Sequence, residues 1–441
     1  MNKTFPRGVH PPDQKQFACD VPIEVLPTPK ELLVPLLQHI GGACEEAVKP
    51  RTALEINGVI GKTDAFVSAP IHVGIGGKTA KAGKATLPIG RRVPAVPVKA
   101  DKEQELEGQA LYEDMFGGDW SFEPDIFEPE TIANAAKDAG LVGLGGAAFP
   151  THVKLRRNPD KPIDTLLING AECEPYLTSD YRLMLEAAAA ITAGTLLATR
   201  ATGAKRTIIC IEDNKPKAIE AMRKAVEGLE IEVMPLATKY PQGGEKQLIQ
   251  AVLKRETPTG GLPLDIGVVV MNVSSAAALA RAVLRGKPLT HRVVSVTGPG
   301  IAHPKNILAP VGVAIQELID FCGGFSQEHV RVISGGPMMG FAVGSLEMPL
   351  TKGTGGITVL REEETYQAEE TACIRCGRCV DVCPLRLVPT KIALAARVGN
   401  SEVARRYHVN ACMECGSCAY VCPASVPLVQ LIRLGKIMVQ N

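Results

Sequence analysis

The chain has 441 residues, enough for about three domains of ordinary size. Lysine and arginine number 48 and aspartate and glutamate 47, so the formal net charge is +1. This balance lacks the basic surplus typical of nucleic-acid-binding proteins, and we expect no nucleic-acid partner. The most apolar stretches, 187–198 and 266–280, are shorter than the roughly 20 residues that span a bilayer, and the N-terminus lacks a signal-peptide core. We therefore expect a cytoplasmic chain with no transmembrane helix, attached to a membrane only through partners.

Residues 1–100 have the pattern of a β-rich domain with one helix. Short apolar runs broken by glycine and proline predict strands, for example at 65–68 and 71–73. The apolar spacing over residues 30–40 predicts the helix, which ends at Gly41 and Gly42. Residues 101–128 are acidic and aromatic, and we interpret them as a linker or a surface excursion.

Residues 129–288 alternate apolar runs with helical segments. Strands are predicted at 166–168, 207–211, 231–236 and 266–271, and the longest intervening helix at 183–199. Strands that are apolar throughout and alternate with helices are typical of a parallel sheet covered on both faces. The pattern therefore predicts an α/β domain here.

Two smaller units follow. Residues 289–350 predict a small α+β unit, with strands at 293–297 and 330–333 and a helix at 313–320. Residues 365–438 form a cysteine-rich module that is mainly helical, with helices at 389–396 and 426–437. The whole is thus expected to be an α/β multidomain chain.

The strongest motif is Cys-x₂-Cys-x₂-Cys-x₃-Cys-Pro, which occurs at 373–384 and again at 412–423. This spacing lets one loop turn three thiolates towards one cubane, while the fourth cysteine, before proline, usually ligates the other cluster. We therefore predict two [4Fe–4S] clusters. One is held by Cys373, Cys376, Cys379 and Cys422, and the other by Cys412, Cys415, Cys418 and Cys383. A pair of zinc sites is the alternative, because Cys-x₂-Cys is also a zinc spacing.

A glycine-rich loop at 140–150 follows a predicted helix. Glycine permits positive φ, so successive N–H groups can converge on an anion, and Lys154 can add a charge for a phosphate. A flexible turn is the alternative reading. The predicted strand at 166–168 ends in a polar loop with Asn169, Glu172 and Glu174, at the sheet edge where parallel α/β sheets bind ligands. Together the two loops favour a nucleotide site.

At these loops the sequence resembles the NADH- and FMN-binding subunit of respiratory complex I. The matching segments are 140–154, 169–175, 243–245 and 271–275. The resemblance implies a Rossmann-like domain at 129–288 that binds FMN, with NADH stacked over it. It implies that FMN is held by Gly143, Gly145, Gly146, Lys154, Asn169, Glu172, Asn272 and Ser275, and that NADH faces Phe149, Glu174 and Glu245. This sequence departs from the family at Val142 and Leu144, where the flavin loop has arginines, and at Lys246, where the third motif has a carboxylate.

The whole chain, from Arg7 onwards, is similar to the C subunit of the Rnf complex, a membrane-bound ferredoxin:NAD oxidoreductase that moves Na⁺ or H⁺. The resemblance implies a barrel-sandwich domain at 1–100 and a soluble-ligand-binding β-grasp domain at 289–350, with a ferredoxin-like two-cluster domain at 365–438. It implies a peripheral electron-transfer subunit on the cytoplasmic face of the membrane. Its partners would be the membrane subunits of the Rnf complex and NAD(H), with ferredoxin as an indirect partner.

Two alternatives stay open at this point. One is a soluble NADH-dependent flavin or cobalamin reductase of the microcompartment type, a family that shares the flavin and cluster regions but has no domain like residues 1–100. The other is a cluster-bearing scaffold without nucleotide binding, which the changes at Val142, Leu144 and Lys246 would suit. In no case do we expect a catalytic acid or base, because the cofactors carry the redox chemistry.

Overall fold

The N-terminal part of the chain consists mainly of strands, most of them short. The structure is a computed structural model that describes residues 3–365 and 368–440. The strands here are β1 Ile23–Val25, β2 Glu31–Pro35, β3 Glu45–Glu46, β4 Ala53–Leu54, β5 Val59–Lys62, β6 Ile71–His72, β7 Gly77–Thr79, β8 Gly83–Thr86 and β9 Arg92–Ala100. One sheet has the order β2-β9-β7-β4 with β8 also on β9, and the other has the order β3-β5-β6.

The helix predicted at 30–40 is wrong, because this segment contains strand β2. Leu32 and Val34 are fully buried, Glu31 is exposed, and β2 pairs antiparallel with the long strand β9. A short apolar run fits a strand or a helix equally well. The hydrogen-bonding partners that β9 supplies decide the outcome here.

The segment at 101–128, expected to be a linker or a surface excursion, is packed against the α/β core. It contains helix α1 Gly108–Phe116. Trp120 is only 6% exposed, and its indole N–H donates to the carbonyl of Phe116 at 3.0 Å. The carboxylate of Asp114 pairs with the buried Arg281 at 2.6 Å. The acidic and aromatic composition therefore belongs to a segment with one packed face.

The region after α1 contains a four-stranded parallel sheet, as the alternating pattern predicts. Its helices are α2 Pro129–Asp138, α3 Thr151–Leu155, α4 Ser179–Glu186, α5 Ala188–Thr202, α6 Pro216–Ala225, α7 Glu245–Leu253 and α8 Val273–Arg285. Its strands are β10 Thr165–Gly170, β11 Arg206–Glu212, β12 Ile231–Leu236 and β13 Val268–Asn272, in the order β12-β11-β10-β13. The central strand β10 pairs with β11 and β13, so Asn169 and Asn272 lie side by side at its carboxyl end.

The single helix predicted at 183–199 is two helices. Helices α4 and α5 meet at 95°, and α5 packs so closely on α8 that a Cβ at Gly194 would overlap the carbonyl of Ala276. The single residue between the two helices, Ala187, is a strong helix former, so local sequence does not reveal the bend. Among the described residues no single helix is long and apolar enough to cross a membrane, and only the bent α4–α5 pair passes such a test by length and composition.

A six-stranded mixed sheet follows. It contains β14 His291–Thr297, β15 Lys305–Pro310, β16 Val330–Ser334, β17 Phe341–Ala342 and β18 Gly356–Arg361, with helix α9 Ile315–Phe321. The order is β1-β15-β14-β18-β16-β17. The unit predicted at 289–350 is therefore completed by β1 from the N-terminal region and by β18, which pairs parallel with β14.

The cysteine-rich region is helical, as predicted. Its helices are α10 Glu362–Thr365, α11 Arg378–Asp381, α12 Pro389–Arg397, α13 Ser401–Arg406, α14 Ser417–Tyr420 and α15 Leu428–Gln440. Ile392, Leu428 and Ile432 form the centre of a small apolar core that also includes cysteines of both motifs. The two cysteine loops therefore rest on one helical platform.

Candidate functional site

Cysteines of both motifs line one cavity. Cys383 from the first motif and Cys412, Cys415 and Cys418 from the second line it, with walls that are otherwise mostly apolar. None of these four cysteines is in a disulfide bond. This is the set that the sequence assigned to one cluster, and four convergent thiolates in an apolar enclosure fit a [4Fe–4S] cubane.

Three of the remaining four cysteines also lie near one another. Cys379 lies close enough to Cys422 and Cys373 for their charges to interact, while Cys376 is exposed. The two motifs also repeat the same backbone conformation, with positive φ at Gly377 and at the equivalent Gly416. Glycine adopts a positive φ without steric cost because it has no Cβ, so each loop can wrap closely around its three leading thiolates.

The glycine-rich loop lies over the carboxyl end of β13. The Oγ of Ser275 accepts a hydrogen bond from the N–H of Leu144 at 3.0 Å. A Cβ at Gly145 would lie 2.7 Å from the Nδ2 atom of Asn272, so any larger residue would have to displace the Asn272 side chain. Gly145 and Gly146 are exposed, and a Cβ at Gly146 would meet nothing within 4 Å. The loop thus presents bare backbone at the edge of the sheet, which suits the phosphate and ring of a flavin nucleotide.

Two asparagines at the ends of neighbouring strands hold the surrounding loops. Asn169 donates through Nδ2 to the carbonyl of Gly243 at 2.8 Å. Asn272 donates through Nδ2 to the carboxylate of Asp180 at 2.6 Å, and its Oδ1 caps helix α8 by accepting from the N–H of Ser274. Both side chains therefore position the loops around the sheet edge.

Lys154, Glu245 and Phe149 lie together beside this edge. The Lys154 ammonium is 3.0 Å from a carboxylate oxygen of Glu245 and 3.1 Å from the carbonyl of Val270. It also lies 6.0 Å from the centre of the Phe149 ring. The Lys154 and Glu245 side chains are 25% and 38% exposed, so each is open to a ligand. Lys154 was predicted to contact FMN and the other two NADH, and the structure brings all three together.

Glu172 is buried and caps helix α4. Its carboxylate accepts from the N–H groups of Asp180 at 3.0 Å and Tyr181 at 3.4 Å, and from the hydroxyl of Ser179. Burial raises the pKa of Glu172, and the charge of Lys15 opposes that shift. The geometry therefore gives this carboxylate a role in the first turn of α4 rather than an open position at the sheet edge.

Glu174 contacts the turn after strand β16. Its carboxylate accepts from the N–H groups of Met338 at 3.1 Å and Met339 at 2.8 Å. Burial raises the pKa of Glu174 to about 7, and the two backbone hydrogen bonds oppose the shift. This residue, predicted to face NADH, thus connects the α/β unit to the six-stranded sheet.

Residues 240–244, beside the sheet edge, also contact the second cysteine motif directly. The hydroxyl of Tyr240 donates to the carbonyl of Cys415 at 2.7 Å. A Cβ at Gly244 would lie 2.7 Å from the terminal methyl of Met413. The Sγ of Cys173 accepts from the N–H of Gly243 at 3.3 Å, and burial raises the pKa of this thiol. Residues 240–244 therefore form a junction between the sheet edge and one cysteine cavity.

Sequence reasoning did not identify Tyr240 or Lys15 as parts of the site. The Lys15 ammonium donates to the carbonyls of Glu172 at 2.8 Å and Glu174 at 2.7 Å, and so holds the acidic loop from the N-terminal segment. Both residues act through contacts with segments more than 150 positions away. No local motif marks such contacts.

Comparison with known families accounts for most of the chain. The Nuo51 FMN-binding domain matches residues 136–281, and the RnfC barrel sandwich hybrid domain matches residues 3–103. The SLBB domain matches residues 293–342, and the 4Fe–4S dicluster domain matches residues 365–423. These matches confirm the expected kinds of domain, and the dicluster match favours clusters over zinc.

Curated relatives identify the family. The C subunit of the proton-translocating ferredoxin:NAD(+) oxidoreductase complex of Clostridium ljungdahlii is 44% identical over 395 residues, which cover 89% of this chain and 84% of the relative. The chain belongs to the C-subunit family of ion-translocating oxidoreductase complexes. A second member, the C subunit of the ion-translocating oxidoreductase complex of Rhodobacter capsulatus, is 42% identical over 97% of this chain and 82% of its own length.

Membership in this family confirms the expectation of an Rnf-type oxidoreductase subunit that carries out electron transport. The barrel-sandwich match also argues against the microcompartment reductase, which has no such N-terminal domain. Among solved structures, a chain of the NAD+-reducing [NiFe]-hydrogenase in the H2-reduced state aligns with a TM-score of 0.51 at 20% identity, covering 73% of this chain and 64% of that chain. At this identity the likeness concerns the fold.

Proposed function

We propose that this C subunit passes electrons between NAD(H), FMN and two [4Fe–4S] clusters. The observation that carries the proposal is the junction at 240–244, where the loops at the sheet edge touch the cavity of Cys383, Cys412, Cys415 and Cys418. A bound flavin would convert a two-electron hydride transfer into single-electron steps. The chain supplies position and electrostatics for this chemistry.

Some residues at the sheet edge would contact FMN, and others position the loops around it. Gly143, Gly145 and Gly146 would offer backbone N–H groups to FMN, and the Lys154 ammonium would add a charge for its phosphate. Asn169, Asn272 and Ser275 fix the loops around the flavin. Glu172 stabilises the first turn of α4, the helix that follows the acidic loop, by accepting a hydrogen bond from the N–H of Asp180.

NADH would approach from the side of Phe149 and Glu245. Phe149 offers an aromatic face, and Glu245 offers a half-exposed carboxylate that can accept from ribose hydroxyls once Lys154 engages a phosphate. Glu174 acts at one remove, because its carboxylate is bonded to the turn at 338–339. It would hold the junction that lies beside the dinucleotide.

We further propose four functional units joined by a packed segment at 101–128. They are a barrel-sandwich domain at 1–100, an FMN and NADH domain at 129–288, a β-grasp domain at 289–350 and a two-cluster domain at 365–438. The chain would sit on the cytoplasmic face of the membrane as a peripheral subunit. The membrane subunits of the Rnf complex would be its partners, and ferredoxin would exchange electrons with it indirectly. Family membership supports this assignment.

An anaerobic titration of the full-length, cofactor-reconstituted protein with NADH tests the proposal. We expect the flavin absorbance to bleach first and the broad cluster absorbance to fall afterwards. Gly146→Val should abolish flavin uptake, because the added side chain occupies the bare backbone without meeting protein atoms. Gly344→Val is the matched control, since it too is exposed with nothing within 4 Å of an added Cβ.

The scaffold alternative predicts a different result. If reconstituted protein holds its full iron content yet takes up no flavin at any concentration, nucleotide binding has been lost and the electron path proposed here is wrong. If Gly146→Val and Gly344→Val bind FMN equally well, the flavin does not lie at this loop.

A further inference from the structure

Two buried cations contact the glycine-rich loop from the six-stranded sheet. Lys352, just before β18, is fully buried, and Arg292, within β14, is 3% exposed. Neither takes part in a salt bridge among the described residues, although the charge of Asp180 interacts with Arg292. We call Lys352 and Arg292 the loop clamp.

Lys352 holds the beginning of the loop. Its ammonium donates to the carbonyls of Gly140 and Pro70, both at 2.8 Å. Gly140 has a φ of +66°, and a Cβ there would lie 2.2 Å from the carbonyl oxygen of Pro70. The first residue of the loop is therefore fixed between the N-terminal region and the amine.

Arg292 holds the middle of the loop. Its NH2 group donates to the carbonyl of Leu144 at 3.0 Å, immediately before the exposed Gly145 and Gly146. Next to Lys352, Gly353 faces the far end of the loop, since a Cβ there would lie 3.4 Å from the Cβ of Ala148. The loop is thus supported at three points by residues outside the parallel sheet.

Stability alone does not account for this arrangement. Burial lowers the pKa of Lys352 to about 7 and that of Arg292 to about 10, so the interior disfavours both charges. What the two cations share is a hydrogen bond to a carbonyl of the loop that would receive the flavin.

We propose that the loop clamp positions the glycine-rich loop for FMN, and that its charge favours an anionic ligand there. The inference rests on the proposed function, because it concerns the same site. It assigns to the six-stranded sheet a part in flavin binding that neither the FMN-binding nor the SLBB match describes. Lys352 and Arg292 are positioning residues, since they act through the backbone of Gly140 and Leu144.

The test compares Lys352→Met, which removes donor and charge, with Lys352→Gln, which keeps an N–H donor. FMN binding to the full-length protein is measured by quenching of flavin fluorescence, and the flavin midpoint potential by redox titration. We expect the Kd for FMN to rise about tenfold in Lys352→Met and less in Lys352→Gln. Below pH 7, where the Lys352 amine is mainly protonated, the flavin potential should become more negative in both variants because a positive charge is lost. A purely structural lysine would leave the potential unchanged.

Arg292→Lys and Arg292→Met form a second pair of variants. They test the same proposal if a Lys352 variant fails to fold. The lysine variant should retain most of the affinity for FMN and the methionine variant should not. If folded Met variants at both positions bind FMN with the wild-type Kd and potential, the clamp is overturned. If the wild type itself takes up no FMN, the failure lies with the proposed function instead.

Discussion

Replacing Cys383 by alanine examines how the two cysteine motifs share their ligands. Cys383 belongs to the first motif in sequence, yet it lines the cavity of Cys412, Cys415 and Cys418. It is buried, with only 8% of its surface exposed. The structure therefore predicts that Cys383→Ala damages the cluster of the second motif and leaves the cluster of the first intact.

The magnitude follows from the number of clusters touched. Wild-type protein with two cubanes should contain about eight irons per chain. Cys383→Ala combined with Cys412→Ala removes two ligands of one site, and about four irons should remain in an intact cluster. Cys383→Ala combined with Cys373→Ala removes one ligand from each site, so both clusters should be lost or reduced to unstable remnants.

Iron analysis and low-temperature electron paramagnetic resonance of dithionite-reduced protein distinguish the two double variants. The expected result is one unperturbed [4Fe–4S] signal in Cys383→Ala/Cys412→Ala and none in Cys383→Ala/Cys373→Ala. The reverse pattern would show that each motif binds its own cluster, and the crossed assignment would be refuted. Cys322→Ala, at a buried cysteine outside both motifs, is the control and should retain both signals.

Three further predictions concern the contacts between regions. Tyr240→Phe removes the hydroxyl that donates to a buried carbonyl of the second motif. Urea denaturation followed by circular dichroism should show that the free energy of unfolding falls by about 1–2 kcal/mol. The control Tyr420→Phe, on a 51% exposed ring, should show almost no change. Asp114→Asn breaks a 2.6 Å ion pair with an arginine whose side chain is 4% exposed. Unfolding followed by Trp120 fluorescence should show a loss of stability of about 3 kcal/mol. The control Asp125→Asn, at a 93% exposed carboxylate, should leave stability unchanged. Equal effects would mean that 101–128 is an open linker after all. Because burial raises the pKa of Glu174 from 4.5 to about 7, the folded state binds this proton more tightly than the unfolded state. Its contribution to stability is therefore greatest below about pH 4.5 and is lost as pH rises through about 7, so the wild type should lose stability relative to Glu174→Gln over that range, and parallel pH profiles would contradict the shift.

Local patterns predicted much of this protein because they carry their own physical cause. The Cys-x₂-Cys spacing brings thiolates together within one tight loop, so candidate cluster ligands can be recognised before the fold is known. The apolar strands at 166–168 and 207–211 are buried on both faces of a parallel sheet, and their composition alone indicates that environment. The glycines of the glycine-rich loop likewise indicate a backbone that must approach another group closely.

Short or interrupted elements were harder to predict. Residues 30–40 have apolar residues that suit a helix or a strand, and pairing with β9 decided for the strand. The bend between α4 and α5 depends on packing against α8 rather than on a proline or glycine between them. In each case the deciding energy comes from a neighbour that is distant in sequence, and propensity is too weak to overrule it.

By itself the sequence determined the chemistry: which cysteines can hold iron, which loop can receive a nucleotide, and which family the chain resembles. Only the tertiary structure decided how those parts meet. It bonded Glu172 to the first turn of α4 and Glu174 to the turn at 338–339, placed Tyr240 against Cys415, and brought Lys352 and Arg292 to the glycine-rich loop. The physical reason is that hydrogen bonds and burial depend on distance in space, and these partners are far apart along the chain.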